Sequence, residues 1–522
     1  MLTSRDPSVI ERFLSDESNA FRASPDSVTA ILFPETEQDI VDAVKSAAAK
    51  GERITVSGGG TGITGSRVPL SGGTVISLEK MLRCRTRDGC TGLVREGAAG
   101  PVRVMLDERK QTAHVAPGVS ISELQSILPR NLIYPPDPTE TSAFLGGTVA
   151  TNASGARCFH YGPTRAWISG LRVVLPDGET ADISRGECFA DAEGKLEFRS
   201  LGGRQYSLRI PKYAMPEVKN AAGLYSMPGM DLIDLFIGSE GILGIVSEIS
   251  MKLIPVLREP VSVLAFFYRY SDAMGYADAL RSMKQRGILS VEYFDDNSLD
   301  FIRPQFPELD LGLEAAVMSE VKAESMDLLA ETSELLARFN AAEDWCAATA
   351  DDRRDMKEFR HSLPDAVNLY LKQHDSYKIG TDFVVPSGKF PEMMAKYREA
   401  GEGFRAKFPR PGVHYVLFGH IGDCHLHFNF ITANGAERDF AKELYLGLAK
   451  AAVSMGGTVS GEHGVGKKAL AVGGKTVPYL ELMYGREGLE EIARVKRVLD
   501  PEGLLNPGNM LGPGWTDPGK RP

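Results

Sequence analysis

The segment RITVSGGGTGITG (53–65) constrains this chain most, because a β-branched run that reads as a strand passes with no spacer into a loop holding five glycines. Backbone N–H groups with no side chains in the way can form a concave anion site. Gly60, Gly62 and Gly65 satisfy GxGxxG after a strand, and Glu79 follows downstream, which invites a Rossmann dinucleotide reading. The continuation excludes it. A Rossmann fingerprint must open a helix whose N-terminus faces the pyrophosphate, whereas SRVPLSGGTVISL brings Pro69, Gly72 and Gly73 and then β-branched residues. An anion cradle and a ligand-free structural turn both remain open.

Two further stretches share this texture: PPDPTETSAFLGGTVATNASGARCFHYGPTR (135–165) and LFIGSEGILGIVSEISMKLIP (235–255). They help to explain 54 glycines in 522 residues, above the usual share of about 7%. The 59 Lys+Arg against 69 Asp+Glu leave a net charge of −10, which argues against a nucleic-acid or anionic-membrane binder. An anionic substrate must therefore meet a local positive site. No apolar run approaches the roughly 18 residues of a membrane helix, so an integral membrane protein is not expected. The start MLTSRDPSVIERF lacks the basic and apolar regions of a signal peptide. Six scattered cysteines form no CxxC pair, which speaks against an iron–sulfur cluster or four-cysteine zinc site. A cytoplasmic setting is expected, with a peripheral place on the inner face of the membrane open.

The spacing predicts a helix over 37–50 with Thr36 as N-cap and Gly51 as stop, a second helix from Ser120 with a Ser120/Glu123 capping box, and a hairpin over 168–184 about Pro-Asp-Gly. From about 256 strands and helices alternate: VSVLAFFYRY, a helix over 272–286, SVEYF, a helix over 324–339, and a helical stretch over 351–372 interrupted near Pro364. VHYVLFG (413–419) and HLHFNFI (425–431) close this unit, and helices follow over 436–455 and 487–499. The fold class is α+β. The expected division is 1–255, 256–434 and 435–522, with a frayed tail from Gly512.

In HLHFNFI a period of two sets His425, His427 and Asn429 on one face and Leu426, Phe428 and Phe430 on the other. A hairpin can bring His420 beside His427, and Glu462 in SGEHGVGKK can supply a carboxylate. Imidazole and carboxylate suit zinc or manganese, and three ligands leave room for a substrate oxygen.

With the glycine blocks, these motifs resemble the vanillyl-alcohol-oxidase/PCMH flavoproteins, in particular the D-2-hydroxyacid dehydrogenase branch. The resemblance covers most of residues 25–512. It implies a PCMH-type FAD-binding domain of two α+β subdomains, an α+β (ferredoxin-like) substrate domain, and a C-terminal helical segment returning to the FAD domain. It implies FAD contacts from Ser57, Gly58, Gly59, Gly60, Thr61, Asp137, Thr139, Gly147, Thr148, Asn152, Ser154, Gly155, Glu240, Gly241, Gly244 and Ile245. The first loop has no histidine for a covalent flavin link, so dissociable FAD is expected; Cys158 is expected to be a packing residue.

The family's GHxGDGNxHxN and EHGxG appear as GHIGDCHLHFN and EHGVG, which places a divalent metal on His420, His427 and Glu462. Cys424-His425 replaces the family's usual Gly-Asn, and His425 is either a further ligand or part of a changed turn. Asp423 is expected in the turn or behind a ligand histidine. The implied reaction is oxidation of a D-2-hydroxy acid to the 2-oxo acid by hydride transfer to flavin N5, with a metal-polarised hydroxyl and His463 as base. Arg360 and Lys378 match the family's substrate-binding cations, and Asn429 joins them; read without the resemblance, Arg360 is a solvated helix residue and Lys378 a strand-edge charge.

Pro364 stands where 2-hydroxyglutarate members tend to have a small hydroxylated residue, so D-lactate leads, with D-2-hydroxyglutarate or a larger hydroxy acid open. The segment 186–216 looks long and is expected as a variable surface loop. Electron-transfer flavoprotein, quinone, cytochrome and an iron–sulfur protein are all compatible acceptors. Two alternatives remain: an electron-transfer flavoprotein subunit of a glycolate-oxidase-like complex, and an FAD oxidase or ether-lipid-type synthase acting on another alcohol.

Overall fold

Thr36 and Gly51 bound the first long helix, Glu37–Lys50, as their chemistry requires. The Thr36 hydroxyl accepts from the Asp39 N–H, Asp39 reaches back to the Thr36 N–H, and Gly51 ends the helix at a left-handed φ of 63°. Ile40, Val44 and Ala47 on its buried face cluster with Ile54 and Ile76 of one sheet and Val174 and Ile245 of another. The helix therefore seals two layers together, and Arg172 adds a two-point ion pair to Glu37 at 2.6 and 2.8 Å.

This computed structural model describes residues 1–515 apart from 19, 98, 257, 325, 348, 473, 474 and 513. The tail expected to fray from Gly512 lies outside the described residues from 516 onward. The first sheet sets Val28–Phe33, Gly73–Ser77 and Ile54–Ser57 parallel, with Leu2–Ser4 antiparallel at the edge. The second is antiparallel, in the order Thr180–Ser184, Ile168–Val174, Ile245–Lys252, Thr112–Val115, Gly100–Asp107, Thr91–Gly97. Its first pair is the hairpin about Pro-Asp-Gly. The Ser120/Glu123 capping box opens Ile121–Ile127.

Beyond residue 255 a single antiparallel sheet runs in the order Glu343–Ala347, Val261–Phe267, Ala315–Val321, Ile288–Asp295, Tyr415–Gly419, His427–Thr432, Tyr377–Gly380. The first four strands, with helices Tyr270–Ser282 and Met326–Arg338 between them, have the ferredoxin-like order 4-1-3-2. Side-chain alternation splits the sheet. Leu264, Phe266, Phe294, Val416 and Ile431 meet Phe359, Leu363 and Val367 of helix Ala350–Gln373. Phe267, Tyr293, Leu417, Phe428 and Phe430 join the larger core with Tyr276 and Tyr397.

Two expectations are corrected here. The helix Ala350–Gln373 runs unbroken through Pro364. Proline has no N–H to give the Arg360 carbonyl four residues earlier, but Phe359, Leu363 and Val367, each at most 2% exposed, hold both halves on the sheet. The segment 186–216 is no mere surface loop: Lys195–Arg199 and Gln205–Arg209 form a hairpin that buries Leu196, Tyr206 and Leu208, and Tyr213 stacks on Tyr484 at 3.9 Å.

The last helix, Glu481–Leu499, begins earlier than expected and is kinked at Gly485 (φ 63°, ψ −179°). The chain then returns to the parallel sheet, where the Ile54 N–H donates to the Leu504 carbonyl and the Asn506 N–H to the Ile54 carbonyl at 2.9 and 2.8 Å. Among the described residues no helix is long and apolar enough to cross a membrane.

Candidate active site

The strand Tyr415–Gly419 ends at His420, a tight turn over Ile421–Asp423 leaves Cys424 at φ 55°, and His427 opens the next strand. That reversal brings three imidazoles together, with ring centroids 4.7 to 5.5 Å apart for His420, His425 and His427. The loop 460–466 faces them. Glu462 Oε1 lies 3.1 Å from His420 Nε2 and 3.9 Å from His425 Nδ1, and Glu462 Oε2 lies 3.8 Å from His427 Nε2.

Three charged groups outside the expected set hold this cluster. Glu292, on the buried strand Ile288–Asp295, accepts from His420 Nδ1 at 2.6 Å. Asp382 accepts from His425 Nε2 at 2.8 Å, from the Ser460 hydroxyl at 2.6 Å, and from the His463 N–H at 2.9 Å. His463 Nδ1 is 3.3 Å from the same carboxylate. Lys219 donates to Glu462 Oε1 at 2.5 Å and lies 3.7 Å from Asp423. Farther out, Arg157 binds Glu320 through two 2.9 Å bonds, and Ser290 donates to the same Glu320.

Burial alone would lower the pKa of His420, but Glu292 and Glu462 outweigh it and push the imidazole up to about 10. Burial would raise Glu462, yet His420 and Lys219 hold it well below the usual carboxylate range. Burial and the neighbouring His425 keep His427 well below ordinary histidine. The result is a buried carboxylate anion beside His425 and His427, which can offer lone pairs, and a protonated His420, whose Nε2 proton a metal would displace. One donor atom from each of His420, His425, His427 and Glu462 lies within 4.8 Å of the others. His425 Nδ1 and Asp423 Oδ2 are buried with no hydrogen-bond partner. This donor set fits a divalent metal.

Arg360 reaches the cluster from helix Ala350–Gln373. Its Nε lies 3.8 Å from Glu292 Oε2, so one carboxylate touches both the guanidinium and His420, and its Nη2 is buried without a partner. Asn429 is buried beside Gly380 in the next strand pair. Lys378 pairs in register with Ile431 and is exposed on the edge strand.

The N-terminal part of the chain presents a cradle. A Cβ on Gly58 would lie 3.6 Å from Gly147 Cα, while Cβ atoms on Gly62 and Gly147 would meet nothing within 4 Å. The loop 57–62 thus packs closely on the start of helix Leu145–Thr151, with open space beside Gly62 and Gly147, room that suits a phosphate-bearing cofactor. Ser57 is buried, Thr61 half-buried and Thr139 exposed. Asp137 has its pKa pushed up to about 6 by burial, tempered by Arg157 and Arg360, and its backbone packs so closely on Gly155 that no Cβ fits there.

Several other residues expected at the cofactor bond to protein. Thr148 donates to the Leu145 carbonyl, Asn152 accepts from the Arg165 N–H, and Ser154 faces Glu462 at 3.4 Å. The Glu240 carboxylate accepts from Ser66, Val465 N–H and Gly466 N–H at 2.7 to 3.0 Å, which ties the glycine loop to the 460–466 loop. Gly241 and Gly244 pack against Asn506 and Val173, and Ile245 is core. Cys158 is buried, and burial pushes its thiol up to about 12.

Residues 28–184 match the FAD binding domain family, and residues 258–510 match the C-terminal domain of FAD linked oxidases. The chain belongs to the FAD-dependent oxidoreductases. This FAD-linked oxidoreductase is 27% identical to a D-lactate dehydrogenase of Anaerostipes hadrus, over 96% of the chain and 92% of the relative. It is 25% identical to a D-2-hydroxyglutarate dehydrogenase of Stutzerimonas stutzeri, over 97% and 95%. It is 27% identical to the glycolate oxidase subunit GlcD of Bacillus subtilis, over 95% and 91%. Its fold is similar to that of alkyldihydroxyacetonephosphate synthase, with a TM-score of 0.65 at 16% identity over 97% of this chain and 83% of that one.

Sequence reasoning missed Glu292, Glu320, Asp382, Lys219 and Arg157. Glu292 in ILSVEYFD and Glu320 in AAVMSEV did carry a signal, since a lone charge in an apolar strand is rarely buried unless paired. Lys219 carried none, because only the return of its long segment to the core brings it to Glu462.

Proposed function

We propose that this enzyme oxidises a D-2-hydroxy acid to the 2-oxo acid, with D-lactate first among substrates and D-2-hydroxyglutarate or a larger acid next. Glu292 carries the reading: it holds His420 of the imidazole cluster and sits beside Arg360, whose buried Nη2 lacks a partner. A buried, unpaired guanidinium nitrogen is costly, and a carboxylate beside it removes the cost. A hydroxyl on the adjacent carbon would then face the imidazoles. Dissociable FAD bound in the glycine cradle supplies the acceptor for the hydride leaving that carbon. A divalent ion on His420, His427 and Glu462, zinc or manganese, supplies a Lewis acid that lowers the hydroxyl pKa.

The chain's own groups do the rest. Arg360 takes the substrate carboxylate, with Asn429 and Lys378 as further polar contacts. Asp382 accepts from His463 Nδ1, which leaves His463 Nε2 to take the hydroxyl proton. The flavin half is proposed as 1–255, the substrate half as 256–434, with 435–522 closing back on the first. The relative named as a glycolate oxidase subunit supports a second reading, in which the electrons pass to a partner protein.

Anaerobic mixing with D-lactate, L-lactate, D-2-hydroxyglutarate and glycolate tests substrate and handedness together. The D-acids are expected to bleach the flavin fastest, and a preference for L-lactate would contradict the reading. His463→Asn is expected to slow bleaching about 10²-fold to 10⁴-fold while substrate affinity changes far less. Wild-type kinetics in that variant would remove His463 as the base.

A further inference from the structure

We propose that His425 is a fourth protein ligand of the metal, making a three-histidine, one-carboxylate centre. The proposal deepens the function above and rests on its metal. His425 is fully buried, and its two ring nitrogens differ. Nε2 is 2.8 Å from Asp382 Oδ1, whereas Nδ1 has no partner and lies 3.9 Å from Glu462 Oε1. An ionised carboxylate can only accept, so the ring hydrogen sits on Nε2 and Nδ1 presents its lone pair to the cluster. A carboxylate behind a ligand histidine is the usual support for a metal-bound imidazole.

The alternative, a histidine that merely shapes the turn, leaves Nδ1 unexplained. A buried polar atom without a partner is costly. The turn is already accounted for by its backbone: Cys424 takes the left-handed φ of 55°, and the His425 N–H donates to the His420 carbonyl at 3.2 Å. The ring packs closely on the facing loop: a Cβ at Gly461 would sit 3.1 Å from His425 Cε1 and Nε2 and 2.6 Å from Val384 Cγ2. The Asn usual at this position in the resembling family has a shorter side chain. Three imidazoles favour zinc over manganese, which prefers oxygen ligands.

X-ray absorption at the zinc K-edge of the zinc-loaded wild-type protein counts the imidazoles directly. Three are expected; two would overturn the proposal. A chelator competition on His425→Asn and His425→Gln, with retained flavin absorbance as the check on folding, is expected to show zinc affinity at least about 10-fold to 100-fold weaker. Affinity within twofold of wild type in both variants would also overturn it. Zinc bound through two imidazoles contradicts this inference alone, whereas a protein that binds no divalent metal contradicts the proposed function as well.

Discussion

Asp382→Asn is expected to slow flavin reduction about 10²-fold to 10⁴-fold while FAD stays bound. Asp382 is 2% exposed, and its two oxygens accept from His425 Nε2, the Ser460 hydroxyl, and the N–H groups of Glu462 and His463. Burial alone would raise its pKa, but His463, His425 and the surrounding donors hold it well below the usual carboxylate range, so it stays an anion. Asparagine keeps one acceptor oxygen and turns its NH₂ toward groups that themselves donate. The loop carrying Glu462 and His463 then loses its anchor, and His463 loses the partner that fixes its tautomer. Stopped-flow reduction with substrate in excess measures the effect. A rate within threefold of wild type would mean that Asp382 does not orient the base.

Arg157→Met is expected to lower stability by about 3 kcal/mol, because it strands a mostly buried carboxylate. Arg157 belongs to the loop after the glycine-rich helix, and Glu320 to the central part of the seven-stranded sheet, so their paired bonds join that loop to the sheet. Burial would raise Glu320, but Arg157 holds it down to about 2. Its folded pKa is thus below the unfolded value, and its stabilisation is present above about pH 4.3 and lost as pH falls toward 2. Unfolding scans at pH 7 should show the loss, and Arg157→Met combined with Glu320→Leu should recover most of it. A single variant as stable as wild type would mean the pair contributes nothing.

Local features were the legible ones. Caps such as Thr36 and Ser120, the Pro-Asp-Gly hairpin, and the alternation that buries Phe428 and Phe430 act over a few residues, and the sequence displays them directly. The His420, His427 and Glu462 grouping was also readable, because two short motifs carry those residues. What holds them was not. Glu292, Asp382 and Lys219 reach the cluster from positions 43 to 243 residues away in the chain, and only the order of strands and the returning 186–216 segment bring them there. Pro364 misled for a related reason: its local cost is overridden by Phe359 and Leu363 packing on a distant sheet.

In the proposed reading, the acidic chain, at −10 overall, reserves Arg360 and the His420, His427 and Glu462 cluster for a small anion. Flavin absorbance under anaerobic conditions tests that claim most directly, in protein loaded with metal, stripped of it, and reloaded. The account predicts bleaching by D-lactate or D-2-hydroxyglutarate in the loaded protein, a loss of at least about 10²-fold in rate on stripping, and recovery on reloading. Bleaching at equal rates in loaded and stripped protein, or none with any 2-hydroxy acid, would contradict it.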